Sequence, residues 1–195
     1  MESNIYRTKL LNAILFFAKN TKFPNTTKIC KLLYFFDFKH FKQTGYPSIG
    51  LQYFAFKQGP VPRSFWLEVK DGKVPDDFKD KLGLLPHKDQ YDPNFVEREF
   101  KAIQSPDMLV FTPREKRILE ELAFVFRDVK AKEISEISHI KNQPWDMTKK
   151  QKGINAPIDY LLALDNDDEV DKEEAKESLK EHFEVVKNFS LDPTK

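Results

Sequence analysis

The sequence predicts an α+β fold that is predominantly α-helical: a single helical domain with a small antiparallel sheet inserted after the second helix. Three observations predict it. Apolar residues recur at spacings of three and four over most of the chain, an aromatic and branched cluster sits beside Gly50 and Gly59, and residues 95–103 alternate in the manner of a strand. A length of 195 residues suits one compact domain, residues 1–164, with an acidic linker and amphipathic helix over residues 165–195.

Residues 4–20 set Ile5, Leu10, Leu11, Ile14, Leu15 and Ala18 on one stripe, the mark of a helix facing a core. Asn25, Thr26 and Thr27 offer oxygens that can cap the next helix, which runs from about residue 27 to 43 and stops at Gly45. Ile29, Leu32, Leu33, Phe35, Phe36 and Phe38 make it apolar on several faces, as befits a central helix. Ile49, Leu51, Tyr53, Phe54 and Phe56 then read as a short strand. Gly59-Pro60-Val61-Pro62 cannot be helical, because each proline lacks an amide hydrogen and biases its predecessor toward extended angles.

Residues 64–69 suit a short helix, and the Lys- and Asp-rich residues 70–83 read as irregular and solvent-facing. The strand at residues 95–103 is expected to pair with the first. Thr112-Pro113-Arg114-Glu115 has the cap, proline and glutamate of a capping box, opening a helix to about residue 129 with Ile118, Leu119, Leu122, Val125 and Phe126 on one stripe. A shorter helix covers residues 131–139, residues 142–153 break it, and residues 157–164 resume as a short helix. After the acidic residues 165–174, a terminal helix at about residues 171–188 puts Ala175, Leu179, Phe183 and Val186 on one face.

Composition narrows the function classes. The net charge is +1, with Lys and Arg interleaved among Asp and Glu, which argues against nucleic acid as the main ligand because no broad basic face exists to neutralise phosphates. Cys30 is the single cysteine, so no intramolecular disulfide forms and a buried thiol is expected. Neither a charged-then-apolar leader nor a long apolar run is present, and a cytoplasmic location away from membranes is expected.

Asp37 and His40, three residues apart on a greasy helix, are surface neighbours there. Such a couple can be an acid and base pair, an oriented metal ligand, or a mutually satisfied hydrogen-bonded pair, of which the last is commonest. Adding His139 and Cys30 yields no zinc or iron spacing, although a metal-dependent hydrolase centred on Asp37, His40 and His139 stands as an alternative. Ser138 with His139 fails as nucleophile and base, since sequence neighbours on a helix point about 100° apart. No glycine-rich phosphate loop, Walker lysine or nucleophile elbow occurs, so neither enzyme nor cofactor is expected. Gly59, Pro60, Val61 and Pro62, followed by Phe65 and Trp66, form either a stiff corner seating Trp66 in the core or a preformed surface for a protein partner. Trp145 is open to the same two readings, and the terminal helix either packs back or docks into another protein.

Four blocks in order carry a family resemblance: Lys31-Leu32-Leu33-Tyr34-Phe35 with Asp37 and His40; residues 45–53; Gly59-Pro60-Val61-Pro62; and residues 122–145 with Ser138-His139 and Trp145. Together they resemble the Panacea antitoxin domain of the SocA-like antitoxins, over roughly residues 5–162. The resemblance implies a mainly helical, non-enzymatic antidote of a bacterial toxin-antitoxin pair, often carried on mobile elements or prophages. It implies a cognate toxin as partner, neutralised by direct binding or by delivery to a cellular protease. The residues expected to build the partner-binding surface are Asp37, His40, Gly59, Pro60, Val61, Pro62, Trp66, Ser138, His139 and Trp145. The family frequently has acidic residues directly after the Ser-His pair, where this chain has Ile140 and Lys141.

Overall fold

A computed structural model describes residues 5–88, 96–165, 168 and 170–190. Helix α1 (Ile5–Asn20) leads to α2 (Thr26–Thr44), whose start is capped by the Asn25 side chain accepting from Lys28 N and whose end is Gly45 in the left-handed region at φ 81°. That glycine lets the chain turn where a side chain would strain it. Strands β1 (Tyr53–Phe56) and β2 (Gly59–Pro62) form an antiparallel hairpin across Lys57 and Gln58. Then come α3 (Arg63–Val69), a 3-10 turn at Asp76–Phe78 that buries Phe78, β3 (Leu82–Lys88) and β4 (Val96–Ala102). Helices α4 (Pro113–Val125), α5 (Ala131–Ile137) and α6 (Pro144–Lys152), a 3-10 turn at Tyr160–Ala163 and α7 (Lys172–Ser190) complete the described chain. No described helix is long and apolar enough to cross a membrane.

The mostly helical α+β class is as expected, with two small antiparallel sheets in place of one. The expected pairing of the first strand with residues 95–103 does not occur. β1 pairs with β2, and β4 pairs with β3, Leu82 facing Ala102 and Leu84 facing Phe100. Phe95, the expected first residue of that strand, lies outside the described residues.

The register explains how two prolines sit in β2. Pro62 faces Tyr53 and Pro60 faces Ala55, with Val61 between them opposite Phe54. Residues two apart direct their amides to the same side, so both missing amides fall on the edge away from β1 and the ladder loses nothing. The other edge of β1 is also occupied: Ala55 N donates to Ala156 O, Asn155 N to Ala55 O, and Ile158 N to Tyr53 O.

The residue 70–83 stretch, expected to be irregular, contains the buried Phe78 and the start of β3. The helix before residues 142–153 does end ahead of them, at Ile137, but Pro144–Lys152 form a helix of their own, α6, because Pro144 occupies its first turn, where a missing amide costs nothing. The capping box at Thr112 and Glu115 is present as expected, and Glu115 is drawn inside, bonded to Lys9 Nζ at 2.6 Å and Ser48 Oγ at 2.5 Å.

α2 lies between two apolar clusters. Ile29, Leu32, Leu33 and Phe36 pack with α1, α4 and β4, whereas Tyr34, Phe38 and Phe41 pack with Tyr53, Trp145, Ile158, Tyr160 and the α7 residues Ala175 and Leu179. Helix α7 therefore docks its apolar face on the domain; the Val186 side chain lies outside the described ones. Cys30 is buried, and burial pushes its thiol up to about 12, which keeps it protonated.

The hairpin corner is tight. Gly59 has φ 101°, and a Cβ built there would stand 2.5 Å from Ser138 Oγ and 2.8 Å from Lys31 Cε. Gly59→Ala is expected to lower stability by about 1–3 kcal/mol, the scale of a strained non-glycine backbone. Urea denaturation checks it, and an unchanged midpoint would contradict the packing described.

Candidate functional site

Asp37 is fully buried at 0% exposure, pointing from α2 into the segment after Gly45. Its Oδ1 accepts from Ile49 N at 2.7 Å and Gly50 N at 3.3 Å, and its Oδ2 from Leu51 N at 3.2 Å and Tyr53 Oη at 2.9 Å. Tyr160 Oη is 2.7 Å from Leu51 O and 3.3 Å from Asp37 Oδ2, so its single proton serves the carbonyl first. No described salt bridge reaches the carboxylate. Burial raises its pKa, against the pull of these donors. The two tyrosines are held well above their usual range, by burial first and then by the Asp37 charge.

His40 does not bond Asp37. Its Nδ1 faces Tyr46 O at 2.8 Å, and because a carbonyl only accepts, Nδ1 carries the proton. Thr44 Oγ1 lies 2.9 Å from the same carbonyl. The two residues thus hold different parts of one segment, residues 46–51, and neither is presented to solvent.

A second cluster forms where β2 meets the end of α5. Lys31 Nζ, buried, donates to Pro60 O at 2.8 Å, and desolvation pulls its ammonium down to about 8. Ser138 Oγ donates to Ser135 O at 2.6 Å. The His139 ring stacks on Trp145 with centroids 4.0 Å apart, bonds the Gln58 backbone and keeps Nε2 shielded without a protein partner. Trp145 Nε1 donates to Phe56 O at 3.0 Å, and Lys149 Nζ lies 4.9 Å over the indole. Trp66 is half-buried, edge-on to Phe56 at 5.7 Å.

Of the residues singled out from the sequence, Gly59, Pro60, Val61, Pro62, Ser138, His139 and Trp145 therefore gather at one corner, with Trp66 reached through Phe56. Asp37 and His40 sit apart from it, at the Gly45–Leu51 end of α2. His139 does not join them, so the hydrolase alternative has no shared centre. Among the described residues no group of three His, Cys, Asp or Glu side chains is placed to hold a metal ion. Sequence reasoning missed Lys31, Tyr53 and Tyr160 as polar partners. Only Lys31 carried a signal, a lone cation in the apolar run of α2.

It also missed His182. Helix α7 lays this ring against Tyr6, with centroids 5.0 Å apart, and directs its partnerless Nε2 at Gly50, where a Cβ could not fit. Burial, with Lys9 and His40 nearby, lowers its pKa to about 4.

A family model for the SocA-like antitoxins with the Panacea domain matches residues 29–146. No curated protein and no solved structure matches the chain.

Two measurements probe this site. Asp37→Asn turns an amide nitrogen toward donors that need an acceptor, and is expected to cost about 2–3 kcal/mol in urea denaturation. Equal stability would show that the carboxylate is dispensable. Burial lowers the pKa of His40, His139 and His182 alike, and the His182 share of the pH dependence is separable because its folded pKa of about 4 lies below its ordinary 6.5. The unfolded chain binds that proton first, so the contribution is complete above pH 6.5 and is lost as pH falls toward 4. His182→Leu removes this titration, and the wild type is expected to lose stability relative to it progressively below pH 6.5. Parallel pH profiles would contradict the assignment.

Proposed function

This chain belongs to the SocA-like antitoxins that carry the Panacea domain, and we propose that it neutralises a cognate protein toxin by direct binding, without chemistry of its own. The observation that carries the reading is the gathering of Gly59–Pro62, Ser138, His139 and Trp145 at one corner. Most of these side chains are buried. Their proposed role is to hold a shape, while contact falls to exposed neighbours: the hairpin tip Lys57 and Gln58, the half-exposed His139, Ile137, Ile140 and Lys149. Exposed isoleucines beside a rigid aromatic stack are apolar anchors with a polar rim, the anatomy of a protein interface. A frame fixed before binding loses little entropy when the partner arrives, which favours affinity. Asp37 and His40 take part by fixing residues 46–51 from within.

Co-expression with the product of the adjacent open reading frame tests the proposal. That product alone is expected to arrest growth, this protein to restore it, and Ile140→Glu to abolish the rescue while leaving the urea midpoint unchanged. A harmless neighbour, or killing that persists when this protein is abundant, overturns the reading.

A further inference from the structure

On the side of the domain formed by α1 and α4, a groove of about 450 Å³ runs between the two helix ends. Phe16, Ala123 and Phe124 supply its apolar wall, and Lys19, Lys22 and Arg127 supply cations against the single lining carboxylate of Glu120. We propose that this groove docks an acidic segment of a partner protein, an aromatic or aliphatic side chain seated beside Phe124 and flanking carboxylates on Lys19, Lys22 and Arg127.

Phe124 is 83% exposed, on a helix whose opposite face is packed in the core. Holding so large a ring in water costs burial free energy that contact with a partner recovers. The groove is also preformed. Lys22 N donates to Arg127 O at 2.8 Å, joining the loop after α1 to the loop after α4. Lys28 then reaches beneath both, its Nζ 2.6 Å from Lys22 O and 3.3 Å from Arg127 O. This cation sits within α2 with no carboxylate bonded to it among the described residues, and adds positive charge below the groove. Beside Lys22, Phe23 is held at φ 54°, a left-handed conformation that bulky residues avoid, with its ring exposed and the Lys130 ammonium 5.9 Å over it. Strain of this kind persists only where the surroundings enforce it, and it gathers at binding sites.

Charge complementarity selects the occupant. With Lys22 paired to Asp128 at the rim, Lys19 and Arg127 still outnumber the lining Glu120 and favour an acidic partner, and the apolar wall asks for a hydrophobic side chain among the acids. Glu120 in the groove and Asp128 paired to Lys22 at its rim interrupt the continuous basic track that a phosphate backbone needs. The groove lies on α1 and α4, not on the hairpin corner, so this inference stands independently of the toxin-binding reading.

The full chain, labelled with ¹⁵N, would be titrated with a synthetic peptide in which one tryptophan is flanked on both sides by glutamates. Saturable shifts are expected at the amides of Lys22, Phe124 and Arg127. Binding should weaken about tenfold or more with Phe124→Ser or Arg127→Glu, the scale of losing one interface anchor. It should also fade at about 1 M salt, where screening acts within about 3 Å. Both side chains lie outside the core, and unchanged urea midpoints would confirm that the variants fold. Absence of saturable shifts overturns the proposal. So does equal binding of the peptide with lysines in place of glutamates, tighter binding of a single-stranded oligothymidylate at the same amides, or shifts that follow protein concentration alone, which would mark a contact between copies. Growth rescue in co-expression is unaffected by any of these outcomes, so the two readings fail separately.

Discussion

The Asp37 carboxylate, paired with no cation among the described residues, ties the segment after α2 and β1 to that helix. Burying the Asp37 charge would be prohibitive if nothing replaced its water. The replacement is the set of amides at Ile49, Gly50 and Leu51 and the hydroxyl of Tyr53. Those donors come from the turn after α2 and from β1, and Tyr160 on the 3-10 turn beyond α6 joins them by donating to Leu51 O, so three segments are held against one helix. The arrangement is cooperative in a simple sense. Ile49 and Tyr53 are buried and Gly50 and Leu51 half-buried, so losing the carboxylate strands several shielded polar groups at once.

Lys28 and Lys31 extend the same strategy with the opposite sign. Both leave α2 and end on backbone carbonyls, Lys28 on Lys22 and Arg127, Lys31 on Pro60. Desolvation holds both ammonium groups down to about 8, yet they stay mostly protonated at neutral pH. A carbonyl is a weaker partner than a carboxylate, but it belongs to the backbone and so pins a loop directly. With the Asn25 cap, Lys28, Lys31, Asp37 and His40, α2 reaches the surrounding loops through polar side chains while its phenylalanines and leucines fill both apolar clusters. The result is a set of surface loops fixed from within by one helix.

How far the sequence could be read depended on whether the governing interaction was local. The Asn25 cap, the Thr112 capping box, the Gly45 stop and the apolar periodicity of α1, α2 and α4 each depend on residues within a turn or two, and each was legible. The strand pairing was not. Gly59-Pro60-Val61-Pro62 looks like a breaker until its prolines are seen to alternate, sending both missing amides off one edge. β3, with Gly83 and Pro86 inside it, hides its partnership with β4 for a similar reason. In the site, Asp37 and His40 stood out as polar residues that needed a reason on an apolar helix. Their spacing suggested each other, whereas their partners are backbone groups beyond the helix end and, for Asp37, the Tyr53 hydroxyl on β1. Periodicity carries no information about such distances.

The matched stretch ends at residue 146, yet the structure it encodes is closed by the later part of the chain. Residues 155–158 occupy the free edge of β1, and Tyr160 puts its hydroxyl on Leu51 and Asp37. Val170 and Ala175 lie against Gly45, and His182 lies against Gly50. Glycine at both positions has two uses: each φ is positive, and each bare Cα gives these distant residues a place to rest. An edge strand left unpaired is a template for unwanted association, and the second apolar cluster without Tyr160, Leu164, Ala175 and Leu179 would lie open on one side. The chain after residue 146 is therefore part of the frame that sets the hairpin corner, through the second apolar cluster that Tyr160, Leu164, Ala175 and Leu179 share with Tyr53 and Trp145.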